Sequence, residues 1–181
     1  MIDVKSAILF HPHFYDSPQN LFDLLAANVR WDESMRARKT ASFGQPNIDS
    51  ERVHLYEPFL PVMHELSGLL EPILGFKANN CFLNFYENGD SKMGWHGDST
   101  HFLAKETGTA ILSVGDTRIF QIRRKAVPTE SYNYVLAPGS LIYMPISIQE
   151  EWQHAIPKVV SDRGRISLTF RKMKTATHDN G

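Results

Sequence analysis

NFYENGDSKMGWHGD, the stretch from Asn84 to Asp98, ends in a histidine and a carboxylate two residues apart. Successive side chains of a β-strand point to opposite faces, so an extended strand would project His96 and Asp98 in the same direction. One further histidine would complete the 2-His-1-carboxylate triad that binds Fe(II) and leaves coordination positions open. A surface His-Asp hydrogen bond produces the same pattern, so the pair alone does not distinguish a metal site from a structural contact.

The C-terminal part of the chain supplies further candidates. His154, in the segment EWQHAIP, is the candidate third ligand, with a satisfied interfacial histidine as the alternative. Strict alternation of polar and apolar residues from Arg165 to Arg171 predicts a strand with one buried apolar face. Two arginines on the polar face either lie at the rim of the sheet or bind an anion, because an unpaired buried charge is unfavourable. A small dicarboxylate fits them, since guanidinium groups bind carboxylates in bidentate fashion.

Short strands dominate the chain from Cys81 onward. The predicted strands are 81–86, 94–98, 109–114, 118–124, 132–136, 140–144, 151–156 and 165–172. The main turn signals between them are Asn88-Gly89, Gly115-Asp116 and Pro138-Gly139. Eight short strands with polar turns and no intervening helices favour an antiparallel sandwich or barrel.

Two helices are predicted upstream of these strands. The first begins with a serine cap and Pro18 and carries an apolar stripe through NLFDLLAANVRW, which we expect to cover a sheet. The second begins near Pro61 and ends near Gly75, and Pro72 is expected to break or kink it before that end. Residues 32–57 show no clear period and are expected to form a loop. The predicted fold is therefore mainly β with flanking helices (α+β).

The order of these motifs resembles the AlkB family of Fe(II)/2-oxoglutarate-dependent dioxygenases. NFYENGDSKMGWHGD, RIFQIR, PGSLIYM, WQHAIP and RISLTFR follow one another in the matched order across residues 81–173. The resemblance implies a double-stranded β-helix, or jelly roll, with Fe(II) held by His96, Asp98 and His154. It also implies 2-oxoglutarate contacts from Asn84, Tyr86, Arg165 and Arg171. Independently, a strand would place Asn84 and Tyr86 on one face as a pair of hydrogen-bonding groups.

Length and composition set the bounds of the domain. With 181 residues, 42% hydrophobic and 22% charged, the chain suits one globular domain with a sizeable core. We expect a single dioxygenase domain over residues 1–181, in which 1–80 supply helical support and substrate-recognition loops and 81–173 form the jelly-roll catalytic core. A single cysteine and no evident signal peptide or membrane span lead us to expect a cytoplasmic protein. We also expect it to be a monomer.

The resemblance also implies a substrate and a reaction. It implies oxidative demethylation of N-alkylated bases in DNA or RNA, as lesion repair or modification reversal, with Fe(II), 2-oxoglutarate and O2. A basic, aromatic-bearing segment with Arg38 and Phe43, or Tyr56, suits a nucleic-acid backbone and a stacked base. A solvated surface loop is the alternative for this segment. Thr100 stands where repair members carry an acid near the target base, and its hydroxyl would hydrogen-bond a base.

Two alternatives to nucleic-acid demethylation stay open. The net charge of -1 argues against nonspecific nucleic-acid binding through a broadly basic surface, but it leaves a local basic patch open. Ser99 and Thr100 are neutral where the repair members of the family often carry acidic residues. One alternative is therefore a hydroxylase or demethylase of a small metabolite, nucleoside or protein side chain. A non-catalytic metal-binding sandwich is the other alternative, and the full set of candidate site residues argues against it.

Overall fold

Two β-sheets pack face to face in a computed structural model that describes residues 3–46 and 56–175. In chain order the elements are α1 (Val4–Ala7), β1 (Leu9–His11), α2 (Pro18–Asn28), β2 (Lys39–Gly44), β3 (Tyr56–Glu57), α3 (Pro61–Leu74), β4 (Asn80–Tyr86), β5 (Met93–His96), β6 (Gly108–Gly115), β7 (Arg118–Arg124), β8 (Ser131–Leu136), β9 (Leu141–Pro145), a 3-10 helix (Ile146–Ile148), β10 (Trp152–Ile156) and β11 (Arg165–Arg171). The larger sheet has the order β1-β9-β6-β11-β4-β2-β3, and the smaller sheet has the order β5-β10-β7-β8. The mainly β prediction and its jelly-roll core are confirmed.

The strand pairing is antiparallel wherever the described strands meet, apart from the short parallel contact of β2 with β3. Each of the eight predicted strands is present, because alternating apolar side chains and turn residues are strong local signals. The strand predicted over 94–98 ends earlier than expected, at His96. Asp98 therefore lies in the irregular segment after β5, and the prediction that one continuous strand carries both side chains is wrong.

Two apolar cores lie on opposite sides of the larger sheet. The first core joins α2 and α3 to the outer face of the sheet, with Leu25 and Leu66 against Leu83, Leu112 and Leu168. The second core lies between the two sheets. It includes Ile111, Ile142, Phe120, Ile122 and Trp152. Burying side chains of this size stabilises the fold by about 1.5–3 kcal/mol each, which fixes both the helices and the smaller sheet on the larger one.

The two main helices begin where the sequence predicts. α2 and α3 each start at a proline, and α3 ends before Gly75, which adopts a left-handed φ of 74°. Pro72 lies inside α3, so of the break or kink expected before the helix end, the break is wrong. The helix continues only to Leu74, and the proline removes a single hydrogen bond from its last turn. In the described part of the chain, no helix is long and apolar enough to span a membrane.

The loop expected over residues 32–57 contains a strand. β2 pairs with β4 along its whole length, from Lys39 opposite Phe85 to Gly44 opposite Asn80. Its six residues take the strand conformation because β4 offers a complete set of backbone partners, which local sequence does not reveal. Residues 47–55 of the same region lie outside the described residues.

Candidate active site

A cavity of about 230 Å³ lies between the two sheets and is lined by alternate residues of two neighbouring strands. From β4 the lining residues are Asn80, Phe82, Asn84 and Tyr86. From β11 they are Arg165, Ser167, Thr169 and Arg171. The residues between them in each strand face the helix-covered core, as the two-residue period of a strand requires. The polar face predicted for β11 is therefore a wall of the cavity.

Two histidines and a carboxylate converge at one end of this cavity. The potential ligand atoms of His96, Asp98 and His154 lie within 4.8 Å of one another. His96 of β5 and His154 of β10 are directly paired across the smaller sheet, so backbone pairing brings the two rings together. Asp98 Oδ1 lies 3.8 Å from Nε2 of His96 and 3.8 Å from Nε2 of His154. The three side chains named from the sequence thus form one cluster.

Each imidazole ring is held with Nε2 toward this cluster. His96 Nδ1 lies 2.8 Å from the carbonyl oxygen of Gly94, so an Nδ1 proton donated there leaves Nε2 as the lone-pair nitrogen. The His154 ring stacks on Phe120, with a centroid distance of 5.0 Å and an interplanar angle of 18°. Burial lowers the pKa of His154 to about 4, so this imidazole is neutral at physiological pH. A neutral imidazole is the form that binds metal ions.

Asp98 contributes a buried carboxylate to the cluster. Burial by itself raises the pKa of this carboxyl, but the Arg171 guanidinium and the neighbouring His154 and His96 rings outweigh burial, and the net pKa is lower than usual. Arg171 Nη2 lies 3.6 Å from Asp98 Oδ2, and that oxygen has no hydrogen-bond partner among the described residues. A carboxylate beside two imidazole nitrogens is a donor set that suits Fe(II). The residues present therefore fit the metal that the sequence suggests.

Arg165 gives the cavity a buried positive charge. The residue is 1% exposed, and burial lowers its pKa to about 10, so the guanidinium remains protonated at neutral pH. Its Nη2 donates to Ser113 Oγ at 2.7 Å. Within residues 3–46 and 56–175, its Nε and Nη1 find no hydrogen-bond acceptor. A buried cation with two unused donors fits the carboxylate of a bound anion.

The remaining predicted cosubstrate residues lie on the same wall. The Tyr86 ring is 1% exposed, and the guanidinium carbon of Arg165 lies 5.1 Å from its centroid. Asn84 accepts a hydrogen bond from Arg38 Nε at 2.6 Å through its Oδ1. Arg171 lies close to Asp98, whereas Arg165 is six residues along the strand from it. The two arginines are therefore spread along the cavity, and Arg171 is the one beside the histidine-carboxylate cluster.

The four residues suggested for substrate binding lie in different places in the structure. Arg38 lines the cavity, and Tyr56 lines it as well. Phe43 is 2% exposed and packs in the helix-covered core, so the suggestion that its ring stacks a base is wrong. Thr40 and Ser42 alternate with it and take the opposite face of β2. Thr100, two residues after Asp98, is half-buried and is not among the described residues that line the cavity.

Several lining residues were not identified from the sequence. Phe82, Ser167 and Thr169 share a strand face with residues that were identified, so the two-residue period could have found them. Phe102 and Met173 come from segments after β5 and β11, and their sequence neighbourhood carries no such signal. Phe82, Phe102 and Met173 add aromatic and apolar surface to the cavity wall.

Comparisons with known proteins agree with this geometry. The family model of the 2OG-Fe(II) oxygenase superfamily matches residues 11–171. Alpha-ketoglutarate-dependent dioxygenase alkB homolog 3 of Rattus norvegicus is 31% identical over 188 residues, covering 92% of this chain and 64% of the rat protein. The chain thus spans less than two thirds of that relative. DNA oxidative demethylase ALKBH2 of Arabidopsis thaliana is 25% identical over 139 residues, covering 64% of this chain and 44% of that protein.

A solved structure shares the fold. The structure of OsALKBH1 matches with a TM-score of 0.65 and 13% sequence identity, over 92% of this chain and 98% of that chain. At this identity the likeness concerns the fold alone.

Proposed function

Because the chain belongs to the 2OG-Fe(II) oxygenase superfamily, and within it to the AlkB family, we propose that it is a dioxygenase that demethylates N-alkylated bases in nucleic acid. One observation carries this proposal. A single cavity contains the His96, Asp98 and His154 cluster and a fully buried arginine with two unused donors. A divalent metal and a small dicarboxylate together satisfy both features.

Different residues of the chain would bind the metal and 2-oxoglutarate. His96, Asp98 and His154 would hold Fe(II). Arg165, with Asn84 and Tyr86, would bind the distal carboxylate side of 2-oxoglutarate, and Arg171 would act near the metal because it lies 3.6 Å from Asp98. When bound, Fe(II) with 2-oxoglutarate and O2 supplies the oxidant that hydroxylates a C-H bond, and 2-oxoglutarate becomes succinate and carbon dioxide.

The reaction on an N-methyl group would proceed in two steps. Hydroxylation converts the methyl to a hydroxymethyl group on nitrogen. The C-N bond then breaks, the nitrogen keeps the electron pair and takes up the hydroxyl proton through solvent, and formaldehyde leaves. Ile111, Phe120 and Ile156 give the cavity an apolar wall, which limits water beside the reacting centre.

The cavity wall supports a nucleobase as the substrate. Arg38 lies beside Asn84 and offers a cation, while Tyr56 and Phe102 offer aromatic surfaces on which a base could stack. Reaching a base within a duplex would require flipping it out, whereas a single strand needs no such step. The Arabidopsis relative is named a DNA oxidative demethylase. The net charge of -1 and the neutral Ser99 and Thr100 favour, as a second candidate, a small metabolite, nucleoside or protein side chain.

The test measures two products from one reaction. Anaerobically prepared Fe(II) protein would be mixed with 2-oxoglutarate, O2 and oligonucleotides that each carry one N-methylated base. We expect formaldehyde in equal amount to succinate, and neither product above background with the same oligonucleotide unmethylated. Succinate that no methylated oligonucleotide increases would refute the nucleic-acid substrate and leave the second candidate. No succinate under any condition would refute the dioxygenase.

We further propose that residues 1–181 act as one domain. The support is that β1, β2 and β3 from the first 80 residues join the same larger sheet as β4, β6, β9 and β11. Arg38 and Tyr56 from this part also line the cavity. The cytoplasmic location and the monomeric state stay predictions.

A further inference from the structure

Asp98 is positioned differently from the two histidines of the cluster. His96 and His154 belong to paired strands, so the hydrogen bonds of the smaller sheet fix their backbones. Asp98 lies two residues beyond the end of β5. Its backbone N-H is donated to the side-chain oxygen Oε1 of Gln149 at 2.9 Å. This hydrogen bond joins residues 51 positions apart in the sequence and connects Asp98 to the segment before β10.

Gln149 is itself held on several sides. Its side chain is buried, and the residue is 6% exposed. Its amide Nε2 lies 4.0 Å from Met144 Sδ, which leaves Oε1 toward the Asp98 N-H. Its carbonyl accepts a hydrogen bond from Lys125 Nζ at 2.8 Å, and the Lys125 N-H donates to the carbonyl of Glu151 at 2.9 Å. Lys125 thus holds the backbone of Gln149, and Met144 contacts its side-chain amide.

The segment that carries Asp98 passes very close to the backbone of Gln149. A Cβ atom at Gly97 would lie 3.1 Å from the carbonyl oxygen of Gln149 and 3.6 Å from that of Trp152. The first distance is shorter than ordinary van der Waals contact, so the lack of a side chain at Gly97 permits the approach. The segments around Asp98 and Gln149 therefore meet in two ways: Gly97 packs closely on the Gln149 carbonyl, and the Asp98 N-H donates to the Gln149 side chain.

We propose that Gln149 is a positioning residue that places the Asp98 carboxylate between His96 and His154, and that Lys125 holds Gln149 for this purpose. The inference rests on the proposed function, because it concerns metal binding by those three residues. Without the Gln149 acceptor, the Asp98 N-H would turn toward solvent and the carboxylate would occupy a wider range of positions. Removing such an outer partner typically weakens metal binding about 10-fold to 100-fold.

The test uses Co(II) as the probe in the full chain, with visible absorption reporting both affinity and ligand geometry. We expect Gln149→Leu to bind Co(II) about 10-fold more weakly than the unaltered protein, with a changed d-d spectrum. Gln149→Glu keeps an acceptor oxygen and is expected to bind Co(II) at least as tightly as the unaltered protein. Gln153→Leu is the matched control, because the Gln153 amide faces the guanidinium of Arg123, and it should leave affinity and spectrum unchanged.

A second variant keeps the test decisive if Gln149→Leu fails to fold. Lys125→Met removes the tether and leaves the Gln149 side chain in place, so we expect it to weaken Co(II) binding by a smaller factor. If both variants fold, the double variant should be no weaker than Gln149→Leu alone, because both act on one contact. Thermal unfolding of the metal-free proteins separates a general loss of stability from a loss of metal affinity.

The outcomes distinguish this inference from the function on which it rests. If the unaltered protein does not bind Co(II), both the proposed function and the positioning role are wrong. If it binds Co(II) and the folded Gln149→Leu variant shows the same affinity and spectrum, only the positioning role is wrong. Equal weakening by Gln149→Leu and Gln153→Leu would also overturn that role.

Discussion

Replacing Arg165 with methionine should make the protein more stable and yet weaken its binding of the cosubstrate. The guanidinium is fully buried, and burial lowers its pKa from the usual arginine value to about 10. That difference corresponds to about 3 kcal/mol of unfavourable free energy for the charged group in the cosubstrate-free protein. The arginine is protonated in the folded and unfolded states at every pH well below 10, so this penalty is fully present at pH 7.

The substitution also removes a favourable contact, which reduces the net gain. Ser113 Oγ would lose its hydrogen bond from Arg165 Nη2, a loss of about 1–2 kcal/mol for a buried hydroxyl. The expected net effect of Arg165→Met is an increase of about 1–2 kcal/mol in the free energy of unfolding. For a chain of this length each kcal/mol raises the melting temperature by about 2–4 °C.

Cosubstrate binding should change in the opposite direction. The Nε and Nη1 donors of Arg165 can each give a carboxylate a charge-assisted hydrogen bond, and such bonds contribute about 1.5–3 kcal/mol each. Losing both should raise the KM for 2-oxoglutarate at least about 100-fold, since 1.4 kcal/mol is a factor of ten. In the unaltered protein, added 2-oxoglutarate should also raise the melting temperature, and in the variant this rise should vanish.

Denaturant unfolding without 2-oxoglutarate and succinate formation against 2-oxoglutarate concentration measure the two effects. Arg163→Met, which removes an exposed arginine two residues earlier in the chain, is the matched control and should change neither quantity. A variant at Arg165 that is less stable than the unaltered protein would show that the buried charge is satisfied within the fold. A KM within threefold of the unaltered value would show that 2-oxoglutarate does not meet this guanidinium.

Three further predictions concern the metal cluster, the core and the loops. His96→Ala should abolish Co(II) binding and succinate formation while leaving the circular-dichroism spectrum unchanged, and retained activity would contradict the assignment of the ligand. Phe43→Ala should lower the free energy of unfolding by about 3–5 kcal/mol, because its ring is core, whereas Tyr56→Ala should raise the KM for the methylated oligonucleotide with a stability change below about 1 kcal/mol. Urea unfolding and product assays distinguish these two, and the reverse pattern would place Phe43 at the substrate. Arg118→Met should lower the free energy of unfolding by about 3 kcal/mol in the same urea assay. The reason is that the buried Arg118 guanidinium donates to backbone carbonyls of two connecting segments. A loss of stability as small as that of Arg163→Met would refute this prediction.

The parts of the site on regular strands could be predicted from the sequence. Asn84, Tyr86, Arg165 and Arg171 all line the cavity, as the two-residue period of their strands indicates. His154 was identified as a candidate, but its pairing with His96 depends on strand register, which no local pattern encodes. The proximity of these residues therefore comes from the fold, although their faces come from the sequence.

Two of the errors have a common physical origin in long-range contacts. β2 forms because β4 pairs with it, and Phe43 consequently faces the core instead of the cavity. Asp98 lies outside β5, which ends at His96, and its N-H finds an acceptor in Gln149 far along the sequence. Each of these features depends on partners more than 30 positions away, where propensity and periodicity carry no information.

Alternation along β11 has a consequence for how this site can evolve. The residues Arg165, Ser167, Thr169 and Arg171 line the cavity, while Ile166, Leu168 and Phe170 fill the core on the other side. Inserting or deleting one residue within this strand would exchange the two sets and place both arginines in an apolar core. A change of substrate can therefore arise from point substitutions on this face of β11 or from changes in the length of the connecting loops. An insertion or deletion within β11 itself would not be tolerated.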